Sequence, residues 1–177
     1  MDHSTALCFT GHRHLSGEDQ ERIIPALRDL LEDVWFRGYR SFLCGGALGF
    51  DTLAAREVLC FRESHPEARL VMVVPCASQA DHWAARDRAV YRDLLARADE
   101  THVLSDFYYA GCMQTRNRFL VDHSSLCVCF LSRLQGGTWS TVRYALQQNL
   151  PVINLAMPAV HSPVFREMFS PEAWREG

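Results

Sequence analysis

The stretch Ser41-Phe-Leu-Cys-Gly-Gly-Ala-Leu-Gly-Phe-Asp-Thr-Leu-Ala54 joins a short apolar run to a glycine-rich turn and then to a segment with helical period. Residues 41–44 have the length and composition of a buried strand, and residues 51–63 fit a helix. At such a junction a phosphate would meet backbone N–H groups and the positive end of the helix dipole. The stretch therefore predicts a strand–helix unit with a candidate anion-binding turn between the two elements.

The same alternation continues along the whole chain. Five further apolar runs have strand length, at residues 6–10, 69–75, 101–104, 125–131 and 151–155. Further segments of helical period lie at residues 16–35, 79–98, 112–123 and 138–148. This order predicts an α/β fold, a Rossmann-like, doubly wound and mainly parallel sheet of about six strands with helices on both faces. Ligands of such folds bind at the carboxyl ends of the strands, where the strand order reverses.

The helix starts carry their own signals. Ser16 with Asp19 three positions later predicts a capping box, although Pro25 predicts a kink or a later start of this helix. Ser78 is the expected N-cap of the third helical segment.

Length and charge bound the kind of protein. A chain of 177 residues predicts one domain, with a core at about residues 5–155 and a tail, residues 156–177, that packs on the core or on a partner subunit of a homo-oligomer. The net charge of −3 does not indicate a surface that binds nucleic acid or an anionic membrane. No apolar run approaches the length that spans a membrane, which takes about 18 residues. The seven cysteines form no C-x-x-C pair and are expected to be small buried hydrophobes, so we expect a reducing, cytoplasmic location.

All 18 basic residues are arginine. The absence of lysine excludes the phosphate loop that ends in Gly-Lys-Ser/Thr and every mechanism that uses a lysine Schiff base or a lysine general base. Any bound anion must be held by arginine, backbone N–H groups, hydroxyls or a metal. The histidines are scattered and predict no metal site, although magnesium could accompany a phosphorylated ligand.

Four other loops could carry chemistry. Thr10-Gly-His-Arg-His14 follows the first strand, Pro75-Cys-Ala-Ser-Gln79 the third, and the glycine-rich stretch 134–141 the fifth, while Arg116-Asn-Arg118 precedes the fifth strand. Two glycine-rich helix starts in one doubly wound domain suggest two anion-binding sites that face one crevice. The candidate ligand-binding residues are Thr10, Gly11, His12, Arg13, Gly45, Gly46, Ala47, Gly49, Asp51, Pro75, Gln79, Arg116, Asn117, Gly136, Gly137, Thr138 and Thr141.

Simpler roles stay open for several of these side chains. Asp51 could cap the second helix or accept a hydrogen bond from a ribose hydroxyl. The arginines at 116 and 118 fit a helix surface better than a site, Trp83 fits the core better than a stacking platform, and His14 fits a solvated turn.

The ordered motifs resemble the SLOG superfamily, which joins the DNA-processing protein DprA with the Lonely Guy phosphoribohydrolases. Gly45–Ala54, Arg116-Asn-Arg118 and Gly137–Ala145 are similar to three DprA motifs in the same order. Thr10–Arg13 and the pair Gln79 and Trp83 look still more like the single-domain YpsA branch. The resemblance implies a Rossmann-like domain that binds a nucleotide or nucleotide-derived small molecule at the glycine-rich loops.

Two other functions compete with nucleotide binding. The first is cleavage of an N-glycosidic bond in a nucleoside monophosphate, which needs a carboxylate. The stretch from His123 to Arg166 has no Asp or Glu, so the motif glutamate of the hydrolases has no counterpart. Asp51 or Asp122 could take its place, and Asp51 is the candidate catalytic residue. The second is single-stranded DNA binding as in DprA, which the acidic net charge disfavours.

Overall fold

The computed structural model describes residues 2–156, in which six strands alternate with five helices. The strands are β1 (Ala6–Gly11), β2 (Ser41–Cys44), β3 (Arg69–Val74), β4 (Glu100–Val103), β5 (Leu126–Phe130) and β6 (Val152–Asn154). The helices are α1 (Gly17–Phe36), α2 (Phe50–Phe61), α3 (Ala85–Arg97), α4 (Cys112–Asp122) and α5 (Gly136–Gln147). The tail that was expected to pack on the core or on a partner falls almost wholly outside the described residues.

One sheet contains all six strands, in the order β4-β3-β2-β1-β5-β6. Every neighbouring pair is parallel. The chain builds outward from β1 to β4, crosses back through α4, and adds β5 and β6 on the other side of β1. The strand order therefore reverses between β1 and β5, where Gly11 pairs with Phe130 at the carboxyl ends. The predicted fold class is confirmed, and the sheet is entirely parallel.

Alternate residues of each strand pack on opposite faces of the sheet. On one face, strand residues such as Phe9 and Phe42 pack with residues of α1 and α2, and Leu94 of α3 belongs to the same cluster. On the other face, Cys8 and Cys129 pack with residues of α4 and α5. Because both faces are covered, the central strands are mostly apolar, with Thr10 and Ser41 as buried polar residues at their ends, as is typical of a parallel sheet.

The first helix begins where its capping box predicts. The Asp19 N–H donates to Ser16 Oγ at 3.0 Å, and the Ser16 N–H donates to Asp19 Oδ2 at 3.0 Å. Pro25 neither delays nor ends the helix. Pro25 is exposed, as is Glu21 four residues earlier, so the carbonyl group that loses its helical partner is on the solvent side.

The predicted start of the third helix is wrong. Residues 77–82 form turns, and α3 begins only at Ala85, with Ala84 rather than Ser78 at the N-cap. The Gln79 amide donates to the carbonyl oxygens of Gly45 and Gly46, at 3.3 and 2.9 Å. These bonds hold the segment against the loop after β2. A tertiary contact has therefore overridden the local capping signal.

The cysteines are free, and six of the seven are buried as expected. Cys60 is exposed, so the expectation fails for this residue. Within residues 2–156, no helix is both long and apolar enough to cross a membrane.

Candidate functional site

A crevice with two lobes opens at the carboxyl ends of the strands, where their order reverses. The first lobe has a volume of about 470 Å³ and the second a volume of about 360 Å³. Both volumes lie in the range of small-molecule sites. The two lobes share four lining residues and so adjoin one another: Arg13, Ala47, Met113 and Arg116.

The crevice brings together most of the residues that the sequence singled out. The predicted residues that line the first lobe are Thr10, Gly11, His12, Arg13, Ala47, Asp51, Arg116, Asn117, Gly136, Gly137 and Thr138. Gln79 lines the second lobe. Among the other predicted residues, Gly45, Gly46, Gly49 and Pro75 line neither lobe, and Thr141 borders a separate groove of about 220 Å³ between α4 and α5. The Thr141 hydroxyl donates to the Gly137 carbonyl at 2.9 Å.

The glycine-rich turn after β2 is filled by the chain itself. The Ala47 N–H donates to Asp51 Oδ2 at 3.4 Å, so the carboxylate occupies the turn where a ligand anion was expected. The Phe50 N–H at the start of α2 donates to the His12 carbonyl at 3.1 Å. The Asp51 carboxylate is therefore an anion supplied to this loop by the chain itself. Asp51 is the second residue of α2 and not its N-cap, which is Gly49. Of the two predicted anion-binding helix starts, the one at α2 therefore has a carboxylate of the chain itself beside it.

The open helix start is that of α5. The N-cap residue, Gln135, makes no side-chain capping bond, and Gly136 has a φ of +78°. A Cβ built at Gly136 or Gly137 would meet no atom of the described residues within 4 Å. The first N–H groups of an α-helix have no partner inside the helix. Gly136, Gly137 and Thr138, which carry these first N–H groups, line the first lobe.

Arg116 lies under both lobes. Its Nε donates to Asn117 Oδ1 at 2.8 Å, and its Nη1 lies 3.6 Å from Asp51 Oδ2. The side chains of Arg116 and Asp51 are each only 6% exposed. Within the described part of the chain, Nη1 has no hydrogen-bond partner. The expectation of a surface arginine is therefore wrong for Arg116, whereas Arg118 lies over the Tyr144 ring, 5.4 Å from its centroid.

Two glycines of the turn after β2 are needed for close packing. A Cβ at Gly45 would overlap Nη1 of Arg116 and would lie 2.8 Å from Asp51 Oδ2. Gly49 has a φ of +79°, and a Cβ there would overlap the backbone carbonyl groups of the loop after β1. These glycines let the two loops and the buried ion pair approach one another, and they contribute no wall to either lobe.

His12 ties the loop after β1 to the loop after β5. The Ser132 N–H donates to His12 Nε2 at 3.0 Å, so this nitrogen is unprotonated and a neutral ring carries its proton on Nδ1. Burial and the nearby Arg133 guanidinium both lower the pKa of His12, which agrees with a neutral ring. His14 is exposed and lines neither lobe, as its simpler interpretation predicts.

The first lobe is electrostatically positive. Three arginines line it, namely Arg13, Arg116 and Arg133, against one carboxylate among the described lining residues, Asp51. Sequence reasoning missed Arg133, Met113 and Gln135 as lining residues. Arg133 stands just ahead of the glycine-rich turn that opens α5, so its position was a usable signal. Met113 had no signal, because its place depends on how α4 packs across the sheet.

Asp51 is the titratable group that its surroundings alter most clearly in the first lobe. Burial raises the pKa of Asp51 to about 6, while the Arg116 guanidinium and the Ala47 N–H oppose this rise. The carboxyl therefore changes its charge near neutral pH rather than near pH 4. A pKa in this range is also suitable for a general acid or base.

The raised pKa predicts a pH dependence of stability. Between about pH 3.8 and about pH 6 the folded chain holds the Asp51 proton and the unfolded chain does not, so this group destabilises the fold as the pH rises through that window. One pKa unit corresponds to about 1.4 kcal/mol, which makes the loss about 3 kcal/mol. Urea unfolding from pH 4 to pH 7 is expected to show this loss in the wild type and not in Asp51→Asn. Asp29→Asn, which removes an exposed carboxylate of α1, should keep the wild-type slope; equal slopes in all three proteins would contradict the prediction.

The sequence matches a defined protein family over most of its length. The profile of the YspA SLOG family matches residues 7–153. A UPF0398 protein of Levilactobacillus brevis is 30% identical over 131 residues, which are 69% of each chain. The uncharacterized SPbeta prophage-derived protein YoqJ of Bacillus subtilis is 29% identical over 138 residues, covering 71% of this chain and 79% of YoqJ.

Solved structures of DNA processing protein A have a similar fold. The protein from Helicobacter pylori, which has a single-stranded DNA binding mode, superposes with a TM-score of 0.62 at 21% identity. The protein from Streptococcus pneumoniae superposes with a TM-score of 0.63 at 15% identity. The superpositions cover 85% and 93% of this chain but only 65% and 54% of those two chains. At this level of identity the likeness concerns the fold.

Proposed function

The chain belongs to the YspA SLOG family, and from its crevice we propose that it binds a phosphorylated nucleotide or nucleotide-derived small molecule. The observation that carries the proposal is the first lobe, which is lined both by the open start of α5 and by Arg13, Arg116 and Arg133. Backbone N–H groups at a helix start and guanidinium groups are the two usual partners of phosphate in a protein without lysine. A magnesium ion could enter with the phosphate.

The charge balance of the first lobe favours a dianion. Its three arginines exceed its one described carboxylate by two positive charges. A phosphate monoester carries close to two negative charges near neutral pH. Its oxygens can accept from the Gly136 and Gly137 N–H groups and from a guanidinium of the same lobe. A nucleoside monophosphate therefore suits the lobe better than an uncharged nucleoside does.

A substitution at the start of α5 tests this proposal without disturbing the fold. Gly137→Asp introduces a carboxylate where the phosphate is expected, and no described atom obstructs its Cβ. An acidic residue in the first turn of a helix is also favourable for the helix. We expect AMP to raise the melting temperature of the wild type, and we expect Gly137→Asp to bind AMP at least about tenfold more weakly by calorimetry, since about 1.4 kcal/mol of repulsion suffices.

The matched control is Gly17→Asp. It adds the same charge to the first turn of α1, at another glycine whose Cβ would meet no described atom and which lines neither lobe. Gly17→Asp should bind AMP like the wild type. Equal affinities of the wild type and Gly137→Asp would remove the start of α5 from the site. The nucleotide proposal would be contradicted if the wild type bound none of AMP, ADP-ribose and NAD at millimolar concentration.

Hydrolysis of the N-glycosidic bond is the second candidate. Asp51, with its pKa near 6 and its place in the first lobe, is the group that would stabilise the cationic sugar. Its burial and its ion pair with Arg116 favour a structural role instead. Chromatography of AMP incubated with the wild type and with Asp51→Ala decides the matter. Release of adenine by the wild type and not by the variant would establish hydrolysis.

Single-stranded DNA binding stays open as a third candidate. The fold is similar to that of the Helicobacter pylori protein, which binds single-stranded DNA. The net charge of −3 disfavours a basic surface long enough to follow a DNA strand. The arginines of the first lobe can neutralise a single phosphate group, which does not require DNA as the ligand. A salt-dependent shift of a labelled oligonucleotide at sub-micromolar protein would favour DNA over the small molecule.

A further inference from the structure

The second lobe differs in chemistry from the first. The apolar residues among those that line it are Ala47, Trp83, Tyr108 and Met113. The two lobes adjoin at Arg13 and Arg116, which line both, so the second lobe is the neighbouring space for a ligand whose phosphate lies at the start of α5. An apolar, partly aromatic cavity beside a phosphate site suits a flat ring system.

The Trp83 ring is held at the wall of this lobe. Its centroid lies 5.2 Å from that of Tyr91, with the ring planes inclined at 66°. The Arg88 guanidinium donates to the Trp83 carbonyl oxygen at 2.8 Å, which fixes the backbone. Trp83 is only half-buried and packs against a small cluster of Val74, Ala80 and Tyr91, which is separate from the main core. The sequence expectation of a core residue thus describes only part of its surroundings.

Gln79 is one of the polar residues that line the second lobe, together with Ser78, His82 and the two shared arginines, and its amide orientation is fixed. Carbonyl oxygens only accept, so the two bonds to Gly45 and Gly46 can come only from the amide nitrogen, Nε2. The other amide atom, Oε1, is buried and has no donor among the described residues. A buried acceptor without a partner is rare in proteins and costs free energy until a donor reaches it.

Resting on the proposed nucleotide function, we propose that the second lobe is the subsite for an amino-substituted heteroaromatic base. The base stacks on Trp83, and its amino group donates to Gln79 Oε1. The phosphate of the same ligand lies at the start of α5 in the first lobe. Gln79 is then a specificity-determining residue. A ring that carries an N–H donor forms a hydrogen bond with its Oε1, whereas a ring without such a donor leaves this buried acceptor unpaired.

Three ligands of the wild-type protein separate the parts of this inference. Calorimetric titrations would use AMP, purine riboside 5′-monophosphate, which lacks the amino group, and ribose 5-phosphate, which lacks the base. We expect AMP to bind about tenfold more tightly than purine riboside 5′-monophosphate, which corresponds to one hydrogen bond to a buried acceptor. Ribose 5-phosphate should bind at least about tenfold more weakly than purine riboside 5′-monophosphate, because it has no base to stack on Trp83.

The outcomes distinguish this inference from the function on which it rests. No binding of any of the three ligands would overturn the phosphate site itself. Equal binding of AMP and ribose 5-phosphate would leave the phosphate site in place and overturn the base subsite. Equal binding of AMP and purine riboside 5′-monophosphate would overturn the role of Gln79.

A variant and its control test the stacking residue. Trp83→Leu is expected to weaken the binding of AMP about tenfold to a hundredfold and to leave the affinity for ribose 5-phosphate unchanged. The unchanged affinity for ribose 5-phosphate also shows that the variant is folded. Phe107→Leu removes an aromatic ring that is 79% exposed and lines neither lobe, and it should bind AMP like the wild type. Unchanged AMP affinity in Trp83→Leu would overturn the stacking contact.

Discussion

Replacing Arg116 by leucine is expected to lower the free energy of unfolding by about 4 kcal/mol at pH 8 and to remove measurable AMP binding. The guanidinium lies 3.6 Å from Asp51 Oδ2, and both side chains are 6% exposed. Without Arg116 the buried carboxylate would lose the cation that stabilises it most and would keep only the weaker effect of Arg13, so a costly, poorly compensated buried charge would remain. The crevice would also lose the one arginine that is buried beneath both lobes.

The pH dependence identifies the cause of this loss. Arg116 is the strongest opponent of the raised pKa of Asp51, so the pKa should rise further in Arg116→Leu. At pH 5 the carboxyl is then largely protonated and its burial costs less, so the variant should be closer in stability to the wild type than at pH 8. Urea unfolding at the two pH values measures both terms.

Arg118→Leu is the matched control for Arg116→Leu. It removes the same charge two positions along α4, where the guanidinium lies over the Tyr144 ring at the surface. A loss of less than about 1 kcal/mol is expected, with AMP binding unchanged, because exposed cation–π contacts contribute little. If the two variants lost equal stability at pH 8, the buried ion pair would not be the reason.

Replacing Gly49 by alanine is expected to cost about 3 to 4 kcal/mol of stability. Two separate penalties combine in this variant. The φ of +79° strains any residue with a Cβ, and the new Cβ would overlap the carbonyl groups of His12 and Arg13. Those atoms are backbone and cannot rotate away. The loop after β1 must shift, so AMP binding should weaken along with stability.

Gly111→Ala separates the two penalties. Gly111 has a φ of +98°, but no described atom lies within 4 Å of its Cβ position. This variant should lose only the conformational part, about 1 kcal/mol, in thermal or urea unfolding. Should Gly49→Ala prove as stable as Gly111→Ala, the close approach of the two loops would be of no energetic consequence.

The strand–helix alternation was readable from sequence because it depends on local patterns. Runs such as Leu70–Val74 are apolar at every position. A strand needs apolar side chains at every position when both faces of its sheet are covered, whereas a half-exposed strand alternates apolar and polar residues. The capping box of Ser16 and Asp19 involves residues three apart and was predicted correctly. The start of α3 was not, since the Gln79 bonds to Gly45 and Gly46 join residues more than thirty positions apart.

For the site, the sequence determined which loops meet, and the tertiary structure decided what each loop does there. Parallel strands bring their carboxyl ends to one edge, so the glycine-rich turns and the loop after β1 had to lie together. Which turn is open depends on side chains far apart in the chain. Asp51 occupies the turn after β2, Arg116 is buried against it, and no described atom lies within 4 Å of a Cβ built at either glycine that starts α5. Burial and charge pairing act through space, and no local pattern of residues encodes them.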